Sequence, residues 1–586
     1  MRRVARAGVW AAIFLGLALL ALPARADGPV PLYPSPTDRL GFGVITRITD
    51  FPVALLRAGW YVNWGAAADT VHPAGLHYAQ VLRTDRARRP DPGWLAQAAR
   101  ANPGSLWLVG NEPDCCYSNQ DCLLPEEYAQ VYHDLYAVLK AADPTARVAI
   151  GGVVQATPLR MQWLDRVWQA YLDLYGTPMP VDIWNVHNFI LQEKAGSWGC
   201  GIPPGIPARE GRLYGLNDHD RLDYFAEQIV RFRTWMRDHG QRDKPLIVSE
   251  YGILFPEELG YPYPRVRDFM LATFNYFSSA TDPAIGCPAD GGRLVQQWAW
   301  YSLDDRSFEW GTTWSALADP ATGQLLPLGE EFAAYAAARW VDYVDLVPTA
   351  LDLAPTGPWF YGEPATLVLT ATVENRGNVP LERPFRVRWY DGPPDQGAPS
   401  IGVALVEGLP VRYGGARQAT ATWTVRVRGP REVFCWVDPA GAIPESDEGN
   451  NTLSRRIQVN LALEGLEVLP PRPVAGPGET AAVTLRAAVR NASDVGVREA
   501  EVCFADLGPP EVPLACVGTG VLLAGEARLV EASWPAAEPG RHRVRATLDP
   551  EDRFVEGDEG DNRLEREVWV WRDQAFLPLT ASGWRR

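Results

Sequence analysis

The sequence predicts a multidomain protein in which a (β/α)₈ TIM barrel is followed by two all-β immunoglobulin-like sandwiches. The chain has 586 residues, which is too long for one ordinary domain. Between about residues 40 and 345, eight short apolar segments alternate with loops or helices, as in a barrel of parallel strands. After residue 348 the helical periodicity ends, and short alternating strands lie between Gly/Pro turns, which is typical of a sandwich.

The first 26 residues have the pattern of a cleaved export signal. Arg2, Arg3 and Arg6 precede an apolar segment at residues 8–22, and residues 24–26 form a small-x-small cleavage pattern. An uncleaved anchor is the alternative, but the apolar segment is shorter than the roughly 20 residues that a spanning helix needs. We therefore predict an extracellular or cell-surface protein with no transmembrane span in the mature chain.

The barrel is predicted for residues 27–348, with helices between its later strands. Pro125 suits the first turn of a helix that ends before Pro144, and a second apolar helical face begins at Leu222 and ends at Gly240. The first connections must be short, because few residues separate the first two segments. The eight predicted strands are residues 41–46, 58–62, 77–83, 106–110, 147–154, 181–187, 245–250 and 294–302.

The sandwich region contains an internal repeat. One copy begins at Asp438 and the other at Asp549, so 549 − 438 gives an offset of 111 residues. This predicts two modules at residues 349–460 and 461–572, followed by a tail at 573–586. The tail is either a disordered end or a surface-retention signal.

Charge and cysteine content narrow the classes of partner. The net charge of −16 argues against nucleic acid, which requires clustered Lys and Arg. In an exported chain the eight cysteines are expected to form cross-links. We predict a bridge within the loop that holds Cys115, Cys116 and Cys122, and another between Cys503 and Cys516 across a hairpin. A zinc site in that loop is the alternative, although the loop lacks paired C-x-x-C spacing.

Two glutamates follow strands that lie far apart in the sequence. The fourth strand ends in Asn111-Glu112-Pro113, and the seventh ends in Ser249-Glu250. The carboxyl ends of barrel strands share one mouth, so the two carboxyl groups are expected to converge there. A protonated and an ionised carboxyl group facing each other are the groups that hydrolyse glycosidic bonds. The alternative for Glu112 is a structural carboxylate that caps a helix or pairs with an arginine.

These residues resemble glycoside hydrolase clan A, whose retaining barrels carry Asn-Glu-Pro after strand four and a nucleophilic Glu after strand seven. The resemblance implies Glu112 as acid/base, Glu250 as nucleophile and Asn111 as the partner of a sugar 2-hydroxyl. The pairs GWYVNWG with GNEPD, and NVHNF with VSEYG, are similar to a branch that includes β-1,3-glucanases. The implied substrate is a polysaccharide or an oligosaccharide, and no cofactor or metal is implied.

The match departs from the clan after strand six. Many members carry His-x-Tyr there, whereas this chain has His187-Asn188-Phe189, and Phe189 has no hydroxyl to donate. Tyr251 or Tyr301 is expected to take that role. His187 is either an active-site residue or a satisfied core histidine.

Three tryptophans are candidates for contact with a sugar ring. Trp64 lies in the segment after the second strand, and Trp298 and Trp300 lie on the eighth strand. Aromatic side chains serve cores first, but their flat apolar faces also stack on sugar rings. Alternation places Trp298 and Trp300 on one face of their strand, but it leaves open whether that face points inward to form a floor under the sugar.

The repeated motif resembles the bacterial cell-adhesion-related sandwich domain called CARDB. Its Asp, Glu and Asn residues, which include Glu445 and Glu556, either bind calcium or form a solvated hairpin turn. The modules are expected to space the barrel or dock it near a cell surface. Two functions therefore remain open: an exported retaining glycoside hydrolase that acts by double displacement, and a non-catalytic surface protein that binds glycans and serves adhesion.

Overall fold

The computed structural model describes residues 33–117, 119–308 and 311–573. The export signal predicted at residues 1–26, and the predicted tail beyond residue 573, lie outside the described residues. Within these ranges, no helix has both the length and the apolar character to cross a membrane.

Eight parallel strands form a ring that matches the eight predicted segments. They are β1 Leu40–Gly43, β2 Trp60–Val62, β3 His77–Leu82, β4 Leu106–Asn111, β5 Arg147–Gly152, β6 Trp184–Val186, β7 Leu246–Tyr251 and β8 Gln297–Trp300. β1 pairs with both β2 and β8. Parallel bridges from Ala149 to Ile183 and from Val153 to Val186 join β5 to β6. The predicted barrel is therefore confirmed.

The helices lie between the strands and often begin with proline. They are α1 Pro92–Ala101, α2 Pro125–Ala142, α3 Pro158–Tyr175, α4 Leu222–Asp238, α5 Tyr263–Ser279 and α6 Pro327–Ala337. Proline suits a first helical turn, because the N–H that it lacks has no partner within the helix. α2 and α4 confirm the two predicted helices. The first connection contains only the short 3-10 turns Ile48–Asp50 and Val53–Leu56, as expected.

The strands separate two packed layers. On β4, Leu106 and Leu108 belong to the cluster inside the ring, whereas Trp107 and Val109 belong to the larger cluster that includes the helices. The alternation of side chains along the strand produces this division. The strand is buried on both faces, and its polar end is formed by Asn111 and by Glu112 directly after it.

The rest of the chain is made of β-strands. A small hairpin, β9 Ser307–Phe308 and β10 Gly311–Thr312, follows the barrel strands. The first β module contains β11 Leu346–Pro355, β12 Pro364–Asn375, β13 Phe385–Asp391, β14 Ser400–Val406, β15 Arg417–Arg426, β16 Arg431–Val437 and β17 Thr452–Ile457. Its three-stranded and four-stranded sheets share one apolar core.

The second β module repeats this two-sheet plan. It contains β18 Leu461–Leu469, β19 Val474–Ala475, β20 Ala481–Asn491, β21 Val497–Arg498, β22 Glu501–Asp506, β23 Val512–Gly518, β24 Val521–Leu522, β25 Ala527–Ala537, β26 Gly540–Leu548 and β27 Arg563–Arg572. Sheets of three and five strands enclose a separate core. The immunoglobulin-like detail stays a prediction.

The repeated acidic motif forms equivalent ties in the two modules. In the first, the Glu445 carboxylate accepts hydrogen bonds from the Leu346 N–H at 2.5 Å and from the Asn451 amide at 2.8 Å. In the second, Glu556 accepts from the Leu461 N–H and from the Asn562 amide. Both glutamates thus join a turn to the first strand of their module. This bonding supports the hairpin-turn interpretation over the calcium interpretation.

Both predicted cysteine pairings are present. Cys116 is bonded to Cys122 within the loop after β4, and Cys503 is bonded to Cys516, which lies directly opposite it on β23. The cysteines Cys115, Cys200, Cys287 and Cys435 are buried free thiols, so the expected cross-links form between only four of the eight cysteines.

The first β module contacts the base of the barrel. The Arg412 guanidinium lies 3.0 Å from the Asp38 carboxylate and donates to the Gly75 carbonyl at 2.5 Å. A ring nitrogen of His77 lies 2.6 Å from the Tyr413 hydroxyl. Asp38 and Gly75 precede β1 and β3, so these contacts lie at the amino-terminal ends of the strands. The opposite end of the barrel, the mouth, is left uncovered by this module.

Candidate active site

The mouth of the barrel brings the two glutamates together. Glu112 directly follows β4, and Glu250 lies near the end of β7. One carboxylate oxygen of each, together with a ring nitrogen of His187, lie within 4.8 Å of one another. Both glutamates border a cavity of about 510 Å³, a volume in the usual range for small-ligand sites.

The backbone after β4 turns sharply to present Glu112. Gly110 has φ 112° and Glu112 has φ 44°, so the chain leaves the strand through two residues with positive φ. A non-glycine residue in this region is strained and is held there only by its surroundings. The Asp121 carboxylate helps to hold this turn, because it accepts hydrogen bonds from the N–H groups of Asn111 at 2.9 Å and Thr84 at 2.8 Å.

His187 lies between the two glutamates. Its Nδ1 is 2.8 Å from Oε1 of Glu112 and 3.6 Å from Oε2 of Glu250. Gly152 makes room for the ring, since a Cβ there would lie 2.1 Å from the imidazole Cδ2. Of the two interpretations of His187, the structure supports a place at the site, although the side chain is buried.

Trp64 supplies the hydrogen bond to Glu250. Its indole Nε1 donates to Oε2 of Glu250 at 2.6 Å, and its ring contacts that of Tyr301 edge to face at 5.4 Å. The Tyr301 hydroxyl instead donates to Asp305 at 2.5 Å. Tyr251 is fully buried, with its hydroxyl 3.2 Å from that of Thr273. The expectation that one of these two tyrosines replaces the missing hydroxyl of the clan is therefore wrong for this structure.

Trp298 and Trp300 do not reach the cavity. Both are fully buried on the outer face of β8, while Ala299 between them points into the ring. Trp298 packs on Phe277 at 5.2 Å, and the Trp300 indole donates to the Ser315 carbonyl at 2.8 Å. The expectation that they form a floor under a sugar is thus corrected, because their shared face is the one covered by helix α5.

Several cavity residues escaped the sequence analysis. Asn63, Arg83 and Gln120 line the cavity beside the predicted Asn111 and Tyr301. The Asn111 amide donates to the Gln120 side-chain oxygen at 2.5 Å. The sequence contains a signal for both Asn63 and Arg83, since Asn63 directly follows the second predicted strand and Arg83 is the last residue of the third.

Burial changes the proton affinities of the site. It raises the pKa of Glu112 to about 8, and the nearby Asp114 charge adds to the rise. It also raises the pKa of Glu250 to about 7, while His187 and the Trp64 hydrogen bond act in the opposite direction. Burial lowers the pKa of His187. Near neutral pH, both carboxyl groups therefore hold a proton more readily than an exposed glutamate does.

A buried arginine braces the loops behind the site. The Arg160 guanidinium donates to the Asp114 carboxylate at 2.7 Å and to that of Glu193 at 3.2 Å. It also donates to the Cys200 carbonyl at 2.8 Å. Arg160 thus links the loop after β4 to the loop after β6, and its charge compensates those of Asp114 and Glu193.

Two groups of side chains in the described part of the chain are close enough to suggest a metal. In one, Cys503 and Cys516 lie beside Glu501, but their disulfide leaves no thiolate to offer. The other is Glu112, His187 and Glu250. There the Trp64 indole N–H donates to Glu250, and His187 is hydrogen-bonded to Glu112, so all three side chains already have hydrogen-bond partners within the protein. This donor set fits acid–base chemistry better than a cation.

Comparison with known proteins finds similarity only to solved structures. No family model and no curated protein matches the chain. A CARDB domain from Pyrococcus furiosus, solved with di-metal ions, is 22% identical over 20% of this chain and 96% of its own, with a TM-score of 0.17.

Two other solved structures are glycosidases. A glucosidase from Croceicoccus marinus is 12% identical over 68% of this chain and 95% of its own, with a TM-score of 0.34. A glycosyl hydrolase family 2 member from Bacteroides cellulosilyticus is 12% identical over 90% of this chain and 61% of its own, with a TM-score of 0.26. Similarities this weak do not assign a family.

Proposed function

We propose that the barrel is a retaining glycoside hydrolase that cleaves O-glycosidic bonds of a polysaccharide or oligosaccharide by double displacement. The observation that carries the proposal is the approach of Glu112 and Glu250, whose nearest oxygens lie within 4.8 Å beside an accessible cavity. Retaining enzymes hold their carboxyl groups about 5–5.5 Å apart, whereas inverting enzymes need about 6.5–9.5 Å to admit water. Nearest oxygens within 4.8 Å of each other are compatible with the shorter of these two separations, and so with direct attack by a carboxylate.

Each glutamate has a distinct role in this mechanism. Glu112, with a pKa of about 8, gives its proton to the leaving glycosidic oxygen. Glu250, with a pKa of about 7, attacks the anomeric carbon as a carboxylate and forms a glycosyl-enzyme ester. Glu112, now ionised, then takes a proton from the water that hydrolyses the ester. The raised pKa values of both groups support a site in which one carboxyl group is protonated while the other is ionised.

Other cavity residues fit substrate recognition. The Asn111 amide lies beside Glu112 and is proposed to bind the 2-hydroxyl of the sugar, where a hydrogen bond strengthens in the transition state. The indole of Trp64 and the ring of Tyr301 line the same wall and offer apolar faces to a pyranose. We also propose that the protein is exported and that its β modules hold the barrel near a cell surface. Their contact with the base of the barrel is compatible with an open mouth.

The test is hydrolysis by the purified protein of β-glucans, mannans, xylans and galactans, with Glu250→Gln and Glu112→Gln beside the wild type. Glu258→Gln is the matched control, because Glu258 is an exposed glutamate in the loop after β7. We expect reducing sugar from the wild type and the control, and none from the other two variants. Glycan binding without hydrolysis by the wild type would instead support the non-catalytic surface protein.

Stereochemistry and trapping test the retaining mechanism itself. Proton NMR of the first product should show the anomeric configuration of the substrate, and inversion would overturn the proposed mechanism. A 2-deoxy-2-fluoro glycoside with a good leaving group should add one sugar to the peptide that contains Glu250. The Glu250→Gln protein should remain unlabelled.

A further inference from the structure

The hydrogen bond between Trp64 and Glu250 has a consequence for the reaction. We propose that Trp64 is the positioning residue of the nucleophile, and that its indole N–H holds Oε2 of Glu250 as the non-attacking oxygen and leaves Oε1 to attack the anomeric carbon. This inference rests on the proposed function, because it assigns a role within that reaction. The inference goes beyond the proposed function by naming the hydrogen-bond donor and the oxygen that attacks.

The contact is suited to fixing a carboxylate. The indole nitrogen lies 2.6 Å from Oε2, the short distance expected for a hydrogen bond to a charged acceptor. An indole N–H can only donate, so it supports the ionised form of Glu250, which is the nucleophile. His187 Nδ1 lies 3.6 Å from the same oxygen. Within the described part of the chain, no hydrogen bond to Oε1 is found, so that oxygen is available to the substrate.

The indole itself is held in place by three features. Trp64 adopts φ 57°, a strained value for a bulky residue. Gly43 on the neighbouring strand β1 leaves space for the ring, because a Cβ there would lie 2.6 Å from the indole Cη2. Tyr301 packs against the ring from β8 at 5.4 Å. A donor held this firmly is preorganised, so it does not need to reorient during the reaction.

The other side chains near Glu250 do not supply this hydrogen bond. Phe189 has no polar hydrogen, and the Tyr301 hydroxyl is bonded to Asp305. The Ser249 hydroxyl, one residue earlier, is buried without a hydrogen-bond partner in the described structure. Among the described residues, Trp64 is thus the donor in hydrogen-bond contact with the nucleophile.

The charges that surround Glu250 determine the sign of the expected pH effect. Burial raises the pKa of Glu250 and Glu112 after β4 adds to the rise, whereas His187 after β6, Arg83 after β3 and the Trp64 hydrogen bond lower it. Tyr301 after β8 is a neutral phenol, whose own pKa is raised by burial. Removing only the indole N–H therefore raises the pKa of Glu250. The acid limb of kcat/KM, which reports ionisation of the nucleophile in the free enzyme, should move to higher pH.

The decisive variant is Trp64→Phe, which keeps an aromatic ring and removes the donor. We expect kcat to fall roughly 10- to 100-fold, as for other preorganised donors, with a smaller change in KM and an acid limb shifted upward. Trp314→Phe is the matched control. The Trp314 indole donates to Oε2 of Glu257 at 2.9 Å, outside the cavity, so the same chemical change should leave both kcat and the acid limb unchanged.

A spectroscopic readout keeps the proposal testable if Trp64→Phe does not fold. In wild-type protein labelled with ¹⁵N-tryptophan, one indole N–H resonance should titrate near pH 7 with Glu250. In Glu250→Gln the same resonance should no longer titrate, which identifies it without the Trp64→Phe protein; where Trp64→Phe folds, the resonance should be absent. If no indole resonance titrates with Glu250, the proposal is overturned. A Trp64→Phe enzyme with wild-type kcat and an unmoved acid limb would overturn it as well. Failure of the proposed function would be distinct, because the wild type would then cleave no glycan at all.

Discussion

Two largely buried ion pairs at the base of the barrel contrast with the two glutamates at its mouth, which have no cationic partner of this kind. At the base, Arg412 is paired with Asp38 at 3.0 Å, and Arg39 is paired with Asp290 at 2.6 Å. At the mouth, no lysine or arginine in the described structure forms a salt bridge with Glu112 or Glu250, which face each other and His187. Burial without a cationic partner raises the pKa values of Glu112 and Glu250, and perturbed carboxyl groups in a cavity are typical of reactive sites. The ion pairs at the base therefore contribute to the stability of the fold, whereas the two acids at the mouth are available for acid–base chemistry.

The largest expected effect is the loss of one acid at the mouth. Glu250→Gln should lower kcat by roughly 10⁴-fold, because the amide cannot attack the anomeric carbon. Its thermal unfolding midpoint should stay the same or rise, since the variant removes a buried carboxylate without a cationic partner. Initial rates and a thermal melt of the same preparation test both halves. A variant that keeps its activity would break the comparison at the mouth.

The second effect concerns the base. Arg412→Met should lower the free energy of unfolding by about 3–5 kcal/mol, because Asp38 is then left buried without its partner. A urea titration followed by tryptophan fluorescence measures this loss. The double variant Asp38→Asn/Arg412→Met should recover part of the stability. Wild-type stability in Arg412→Met, or a large change in kcat, would show that the two ends are not separate as described.

The third prediction concerns the disulfide that closes the loop beside Glu112. The disulfide between Cys116 and Cys122 closes a loop with a sequence separation of 6, so its removal should cost only about 2 kcal/mol. A thermal melt of Cys116→Ser/Cys122→Ser measures this cost. Intact mass with and without reductant should differ by the hydrogens of two disulfides. No mass difference would contradict the bridges that the structure contains.

The smallest effect is the change of rate with pH at the mouth. The kcat/KM profile should be bell-shaped, rising as Glu250 ionises with a pKa of about 7 and falling as Glu112 loses its proton with a pKa of about 8. Outside these limits the rate should fall about tenfold per pH unit, because one required protonation state is lost on each side. The two groups interact, so the limbs report the pair. A flat profile between pH 5 and 9 would contradict the raised proton affinities.

Much of the fold is encoded in local patterns. The eight apolar segments predicted the eight barrel strands, and the Pro125 and Leu222 patterns predicted α2 and α4. A polar residue at the end of a buried strand must lie at a rim, so the sequence predicts that Glu112 and Glu250 lie at the mouth. The hairpin pairing of Cys503 with Cys516 followed from the same kind of local geometry.

The sequence by itself thus determined the strands, their order and the two acids at their carboxyl ends, because apolar runs and alternation are properties of consecutive residues. Only the tertiary structure decided that Trp298 and Trp300 face the helices, since alternation shows which residues share a face but not which layer covers it. It also decided that Trp64 holds Glu250, 186 positions away. A hydrogen bond between residues that distant depends on how the ring closes, and no periodicity along the chain contains that information.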